Sequence, residues 1–214
     1  MKRLYLHFIM ILIAGAVVGC SNDDESDRYD HAYKVSYFDR DPNINQRQGY
    51  WVREKFIELT PEKEPPFTLL VKWNDAEGEK AFNYIVGKKD DVVMEKYRID
   101  SNTAVIICKK YIICPYLFVS SSYKSSTTVF EKDYLRIDNR ILLKMKAGKS
   151  VEAIADKYAD VLTLDTDNEL TAGVEAFDCK LKTSCEVLQL ADEIKQRDDV
   201  EWAEPNMYAP YYAF

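Results

Sequence analysis

Ile137 to Tyr158 reads IDNRILLKMKAGKSVEAIADKY, and its two parts follow different periods. Residues 137–146 place Leu143 and Met145 on one face of an extended run, whereas Val151, Ile154, Ala155 and Tyr158 recur at helical spacing after Gly148-Lys149-Ser150. Ser150 is positioned to cap that helix. Toward the C-terminus, residues 161–166 and 174–181 fit two more strands, with Asp165-Thr166-Asp167-Asn168 as turn material. A second helix opens at Thr183, where Thr183 and Glu186 stand at capping-box spacing and Val187, Leu190, Ala191 and Ile194 form the buried stripe. The last strand is Val200-Glu201-Trp202-Ala203, which Pro205 is expected to end or bend.

The order strand, helix, strand, strand, helix, strand predicts an α+β fold of the ferredoxin-like, or split βαβ, kind. Both helices then cover one face of an antiparallel sheet, and the other face is free for a partner. Upstream, residues 34–59 read as strands, with alternation in Val35-Ser36-Tyr37-Phe38 and a hairpin through residues 50–59. Pro61, Pro65 and Pro66 punctuate the chain before a strand at 67–73 and a helix at 75–86 carrying Ala81, Phe82, Ile85 and Val86. Strand-like runs follow at 102–108 and 111–119, and the Ser/Thr-rich stretch 120–128 is the expected connector between domains. Residues 34–130 thus form a β-rich first domain and residues 131–214 the ferredoxin-like second one, with an aromatic tail.

The N-terminus has a different character. Lys2 and Arg3 precede an apolar run from Leu4 to Val18, interrupted by His7 and ended by Gly19, which is the pattern of a secretion signal and too short for a good membrane span. The ending Ala16-Val17-Val18-Gly19-Cys20 resembles the lipobox of bacterial lipoproteins. That resemblance implies removal of residues 1–19, a lipid on Cys20, and attachment at the outer membrane or cell surface. Residues 20–33 carry Asp23, Asp24, Glu25 and Asp27 and read as an acidic, solvated tether. Acidic stretches behind a lipid-bearing cysteine also resemble surface-export signals of some Gram-negative lipoproteins. The membrane is therefore an expected partner through the lipid on Cys20.

Composition narrows the chemistry. Losing Lys2 and Arg3 takes 29 Lys plus Arg to 27 against 36 Asp plus Glu, moving the net charge from −7 to −9, so nucleic acid is a poor partner. The chain has two histidines, and His7 goes with the signal, leaving His31 in the tether. Neither a Ser-His-Asp or Cys-His hydrolase nor a histidine-based zinc site can be built around it. Of five cysteines, Cys108, Cys114, Cys179 and Cys185 remain after Cys20. Disulfides and buried free thiols are equally open for them, and no metal motif is present. Ala147-Gly148-Lys149-Ser150 resembles the end of a phosphate-binding loop, but the glycine needed five positions before Gly148 is Leu143, which excludes a nucleotide site. No cofactor and no catalytic residue is expected, and the chain reads as a non-enzyme.

Two stretches carry a family resemblance. Leu142-Leu143-Lys144-Met145-Lys146-Ala147-Gly148 and Val200-Glu201-Trp202-Ala203-Glu204-Pro205-Asn206 resemble the opening and closing strands of subtilase propeptides of the fervidolysin N-terminal type, over residues 137–210. A weaker repeat sets Phe67–Trp73 beside the opening strand and Tyr111–Leu117 beside Glu201–Met207, so that residues 34–130 read as a degenerate first copy without a second helix. The resemblance implies a surface lipoprotein that binds a subtilisin-like protease in trans as inhibitor or chaperone, since no protease domain follows in the sequence. It also implies partner-binding residues in the tail: Tyr208, Tyr211, Tyr212 and Phe214, with Phe214 in the primary pocket and Tyr211 in the pocket three residues upstream. Packing of the tail on its own domain is the alternative. So is a structural or adhesion role in which the module binds another envelope protein or a glycan.

Overall fold

Tyr134–Met145 forms the strand on which the architecture is organised, because Ile137, Ile141 and Leu143 share one face and are buried in the core while Asp138, Arg140 and Lys144 point the other way. It belongs to a computed structural model that describes residues 32–88, 91–126, 134–167 and 173–208. The elements are β1 Ser36–Phe38, β2 Gln48–Val52, β3 Lys55–Pro61, β4 Phe67–Lys72, α1 Ala76–Gly87, β5 Val93–Arg98, β6 Thr103–Cys108 and β7 Tyr111–Ile113. They continue with β8 Phe118–Ser125, β9 Tyr134–Met145, α2 Glu152–Lys157, β10 Leu162–Asp165, β11 Glu175–Cys179, α3 Ser184–Lys195 and β12 Val200–Tyr208. The fold is α+β and rich in sheet, and every strand pair is antiparallel. Among the described residues no helix is long and apolar enough to cross a membrane.

One sheet runs β10-β11-β9-β8-β4-β6-β5, with β12 on the far edge of β9 and the β2–β3 hairpin attached through β3 to β8. In the second half the pairing order is β12-β9-β11-β10, and in the first it is β8-β4-β6-β5. The halves are therefore ordered alike: fourth strand, first, third, second. They meet where the N-terminal part of β9 pairs with β8, Ser122 opposite Arg136, while its C-terminal part pairs with β11, Arg140 opposite Asp178. Residues Tyr33–Phe214 make one compact unit.

The helices form for local reasons and are held by the sheet. In α1, Asp75 accepts a hydrogen bond from the Gly78 N–H at 2.7 Å, and Ala81, Phe82 and Ile85 are buried. A Cβ on Gly78 would meet Trp73 Cβ at 2.6 Å and the Tyr116 carbonyl at 2.8 Å, so only glycine allows the helix this close. In α3 the capping box is present: Thr183 accepts from the Glu186 N–H, and Glu186 accepts from the Thr183 N–H at 2.8 Å. Helix α3 buries two faces. Val187, Leu190, Ala191 and Ile194 join Ile137, Ile141, Leu143 and Phe177 in the core, while Cys185 and Leu188 are also buried. The β2–β3 hairpin is tied to this helix, with Trp51 Nε1 donating to Asp192 at 2.6 Å and Gln189 donating to Gln46 at 3.0 Å. Burying each such apolar side chain contributes roughly 1.5–3 kcal/mol.

Several expectations need correction. The serine run is not a connector: Ser120, Ser121 and Ser122 lie buried inside β8, with their hydroxyls bonded to buried groups. Residues 111–119 are two strands rather than one, and the charged stretch Val93–Arg98 is an additional strand, β5, at the sheet edge. Pro205 does not end β12, which continues to Tyr208 with register shifts between Val200 and Trp202 and between Pro205 and Met207. Proline fits there because β12 bonds to one neighbour only and its pairing with β9 is broken just after Pro205, where β9 carries the extra residues. The N-cap of α2 is Val151, without a side-chain cap, and Ser150 Oγ instead accepts from the Glu152 N–H at 3.3 Å. By pairing, the first-half counterpart of β12 is β8 rather than Tyr111–Leu117.

Candidate functional site

The closing strand β12 is the element in which the motif residues, the sheet edge and the seam between the halves come together. Val200, Ala203 and Pro205 face the core, Ala203 opposite Leu143 and Pro205 opposite Ile141. At the second register shift β9 advances four residues, Ile141 to Ile137, against two in β12, and Asn206 Nδ2 donates to Asp138 Oδ2 at 3.2 Å. Asp138 also accepts from the Asn139 N–H at 2.8 Å and holds Lys72 Nζ at 2.5 Å. The side chains of Lys72 and Asp138 are 15% and 4% exposed, so this ion pair between β4 and β9 is well shielded. Asp138 is thus the point at which β4, β9 and β12 are joined.

Polar groups fill the gap in the ladder where β8 and β11 both leave β9. Ser120 Oγ accepts from the Ile137 N–H at 3.0 Å, and Asn139 Nδ2 donates to the Cys179 carbonyl at 3.5 Å. These bonds replace strand pairing that the divergence removes. Beside them is a cleft of about 110 Å³ bordered by Lys72, Asn74, Tyr116, Asn139 and Lys182. Its volume suits a few water molecules, not an organic substrate, which needs roughly 300 Å³ or more.

The helix-free face of the second half is open and ionic. Arg140 reaches Asp178 at 2.9 Å and Asp165 at 3.0 Å, Lys144 reaches Glu201 at 3.1 Å, and Leu142 and Trp202 are half-buried between them. Glu204 is partly buried, and desolvation holds its carboxyl above the ordinary glutamate value. Desolvation and the nearby Glu204 charge together raise the Tyr50 phenol.

The described residues contain no histidine. They also hold no group of three or more His, Cys, Asp or Glu side chains able to hold a metal ion. The most concentrated polar group is buried: Ser121 Oγ donates to Asp41 Oδ2 at 2.7 Å, the hydroxyls of Tyr111 and Ser121 share a 2.9 Å bond, and those of Tyr123 and Ser184 share one of 2.7 Å. Desolvation and the Asp41 carboxylate raise the Tyr111 phenol well above its usual range, and desolvation does the same to Tyr123. Asp41 and Ser121 are almost wholly buried, so this network fastens the loop after β1 to β8 without meeting a substrate.

The four cysteines are free and buried, which sets aside the disulfide alternative. Each thiol has its own surroundings: Cys114 donates to the Tyr33 carbonyl at 3.5 Å, Cys179 to the Phe177 carbonyl at 4.0 Å and Cys185 to Gln46 Oε1 at 3.5 Å. Burial pushes Cys108 and Cys179 up to about 12 and Cys185 to about 11, so none is a thiolate near neutral pH. Of the other expected site residues, Cys20, Tyr211, Tyr212 and Phe214 lie outside the described residues, and Tyr208 is described only as the last backbone position of β12, opposite Arg136. The Lys72, Asp138 and Asn206 junction was not anticipated from sequence. Its members are separated by 66 and 68 residues, and Asp138 stands among Arg136, Asn139 and Arg140 in its strand, so no local signal singled it out.

No family model, no curated protein and no solved structure matches the chain. The propeptide resemblance therefore stands on the residues of the two motif strands alone.

Proposed function

We propose that the chain is a non-catalytic, lipid-anchored envelope protein that binds a subtilisin-like serine protease in trans, as inhibitor or folding chaperone. The second half is read as a ferredoxin-like propeptide unit, and the first as a degenerate copy of it. The observation that carries this reading is β12: it runs the full length of β9 as the fourth strand of a β12-β9-β11-β10 order, so the residues after Tyr208 continue from the end of an edge strand. An extended tail leaving an edge strand is suited to strand addition in a protease cleft, with alternate side chains in pockets. Tyr211 and Phe214 are then the residues that enter pockets, flanked by Tyr208 and Tyr212, and the helix-free face lies against the enzyme surface. An interface of this kind buries on the order of 800 Å² per partner.

The test is inhibition of a panel of subtilisin-like proteases by residues 28–214 beside a version ending at Tyr208. Tail-dependent inhibition with the protein left uncut is the expected result; digestion of both versions without inhibition sinks the reading. A structural or adhesion role, binding another envelope protein or a glycan, is favoured by one observation. The charges of the helix-free face are already satisfied among themselves, Arg140 by Asp178 and Asp165 and Lys144 by Glu201, which leaves fewer for a protease.

A further inference from the structure

Five basic side chains cluster where the compact unit begins, although the chain as a whole is acidic. Tyr33 opens that unit: its ring lies 5.5 Å from Tyr116 and 6.4 Å from Tyr84, and its carbonyl accepts from Cys114. Lys88 Nζ sits 4.9 Å over the Tyr84 ring and 5.8 Å over Tyr37, whose neighbour Phe38 is 39% exposed. Phe38 pairs with Tyr111, which brings Asp39 and Arg40 beside the turn Lys109-Lys110, and Lys110 Nζ lies 3.7 Å from Asp39. Tyr116 is 36% exposed at the opposite rim. Contacts thus connect Tyr116, Tyr84, Lys88 and Tyr37 in one patch around the buried Tyr33 ring; Phe38, the next residue along β1, projects from the other face of that strand, and Lys34, Arg40, Lys109 and Lys110 lie at the same end of the unit, with Asp39 and Asp91 as its acids.

We infer that this patch seats on the anionic lipid surface of the membrane that anchors the chain. Amphipathic aromatic rings and snorkelling lysines are the side chains that partition into the headgroup layer, apolar part inward and charge toward phosphate. Position selects that occupant over another protein. Cys20 lies 13 residues before Tyr33, a span of at most ~45 Å when fully extended, so a lipid on Cys20 keeps this end of the unit, before any other, near the bilayer. A short leash gives a weak surface a high effective concentration of membrane. Seated this way, the patch orients the body with one side to the bilayer, and it rests on the lipid-anchor reading proposed above.

Vesicle sedimentation tests it on residues 21–214, which lack the lipid-bearing cysteine. At low salt the protein is expected to bind phosphatidylcholine vesicles containing phosphatidylglycerol and not those of phosphatidylcholine alone. Lys109→Glu with Lys110→Glu should weaken that binding about tenfold or more, and Phe38→Ser should weaken it independently. Lys55→Glu with Lys63→Glu, on the β2–β3 hairpin and the segment after it, should leave it unchanged. Absence of binding, equal binding to both vesicle types, or indifference to the Lys109 and Lys110 reversal overturns the inference. The anchor is tested separately by labelled palmitate incorporation into the full chain and its Cys20→Ser variant. Failure there removes the lipid while leaving the vesicle result to be read on its own.

Discussion

The strand order β8-β4-β6-β5 in the first half repeats β12-β9-β11-β10 in the second, but only the second carries a helix between its third and fourth strands. There α3 closes the core with Val187, Leu190, Ala191 and Ile194, an apolar stripe that needs little hydrogen bonding. In the first half the corresponding connection holds β7, paired with β1, and Tyr111 packs at 5.9 Å on Phe67 while bonding Ser121. A ribbon and a buried acid–serine–tyrosine network therefore stand where the other half has a helix. The same sheet face can be closed by apolar area or by satisfied polar groups, and the second solution fails harder when one partner is lost.

Removing apolar bulk should have the largest effect. Phe177→Ala, at a fully buried position of β11, is expected to cost about 3–5 kcal/mol in denaturant unfolding, and the loss should appear in a single transition, because β9 belongs to both halves. Two transitions would break the comparison by making the halves independent. Next is Asp138→Ala, expected to cost about 3 kcal/mol by leaving Lys72 shielded and unpaired; Asp138→Leu with Lys72→Met should recover most of it in a double-mutant cycle. Ser121→Ala strips a donor from buried Asp41 and should cost ~1–3 kcal/mol, more than Thr183→Ala at the α3 cap, about 1 kcal/mol. Equal costs would say that the polar closure is no more brittle than the helical one. The smallest effect concerns pH. Burial raises the Glu204 carboxyl, so the folded chain keeps a proton that the unfolded chain has released, and stability falls as pH climbs from the ordinary value of 4.5 through the folded value. Glu204→Gln should lose less thermal stability than the parent over that rise, measured by melting temperature.

Legibility in the sequence followed how local each signal was. The α3 capping box, the Asp75 start of α1 and the β2–β3 hairpin depend on neighbours within a few residues and were readable. Strand β5 was not, because Glu95, Lys96 and Arg98 replace apolar alternation on a strand that lies at the sheet edge and is exposed on both faces. Ser120 to Ser122 resembled a loop because their partners, the Ile137 amide, Asp41 and the Thr68 carbonyl, lie 17 to 80 residues away. The Asp138 junction was hidden for the same reason, and the expected tail residues beyond Tyr208 fall outside what is described.

Of the three partners of β9, β8 is the nearest in sequence and β12 the farthest. Eight residues separate β8 from β9, but β12 must return across some 55 residues of intervening chain. A chain made from its N-terminus can pair β8 with β9 early, yet the long ladder of β9 waits for β12 to arrive. Until then the outer edge of β9, Ile141 and Leu143 included, is an open template for any other strand. In the folded protein β12 covers that edge, so the window of greatest exposure to aggregation or capture is the interval before Val200–Tyr208 docks.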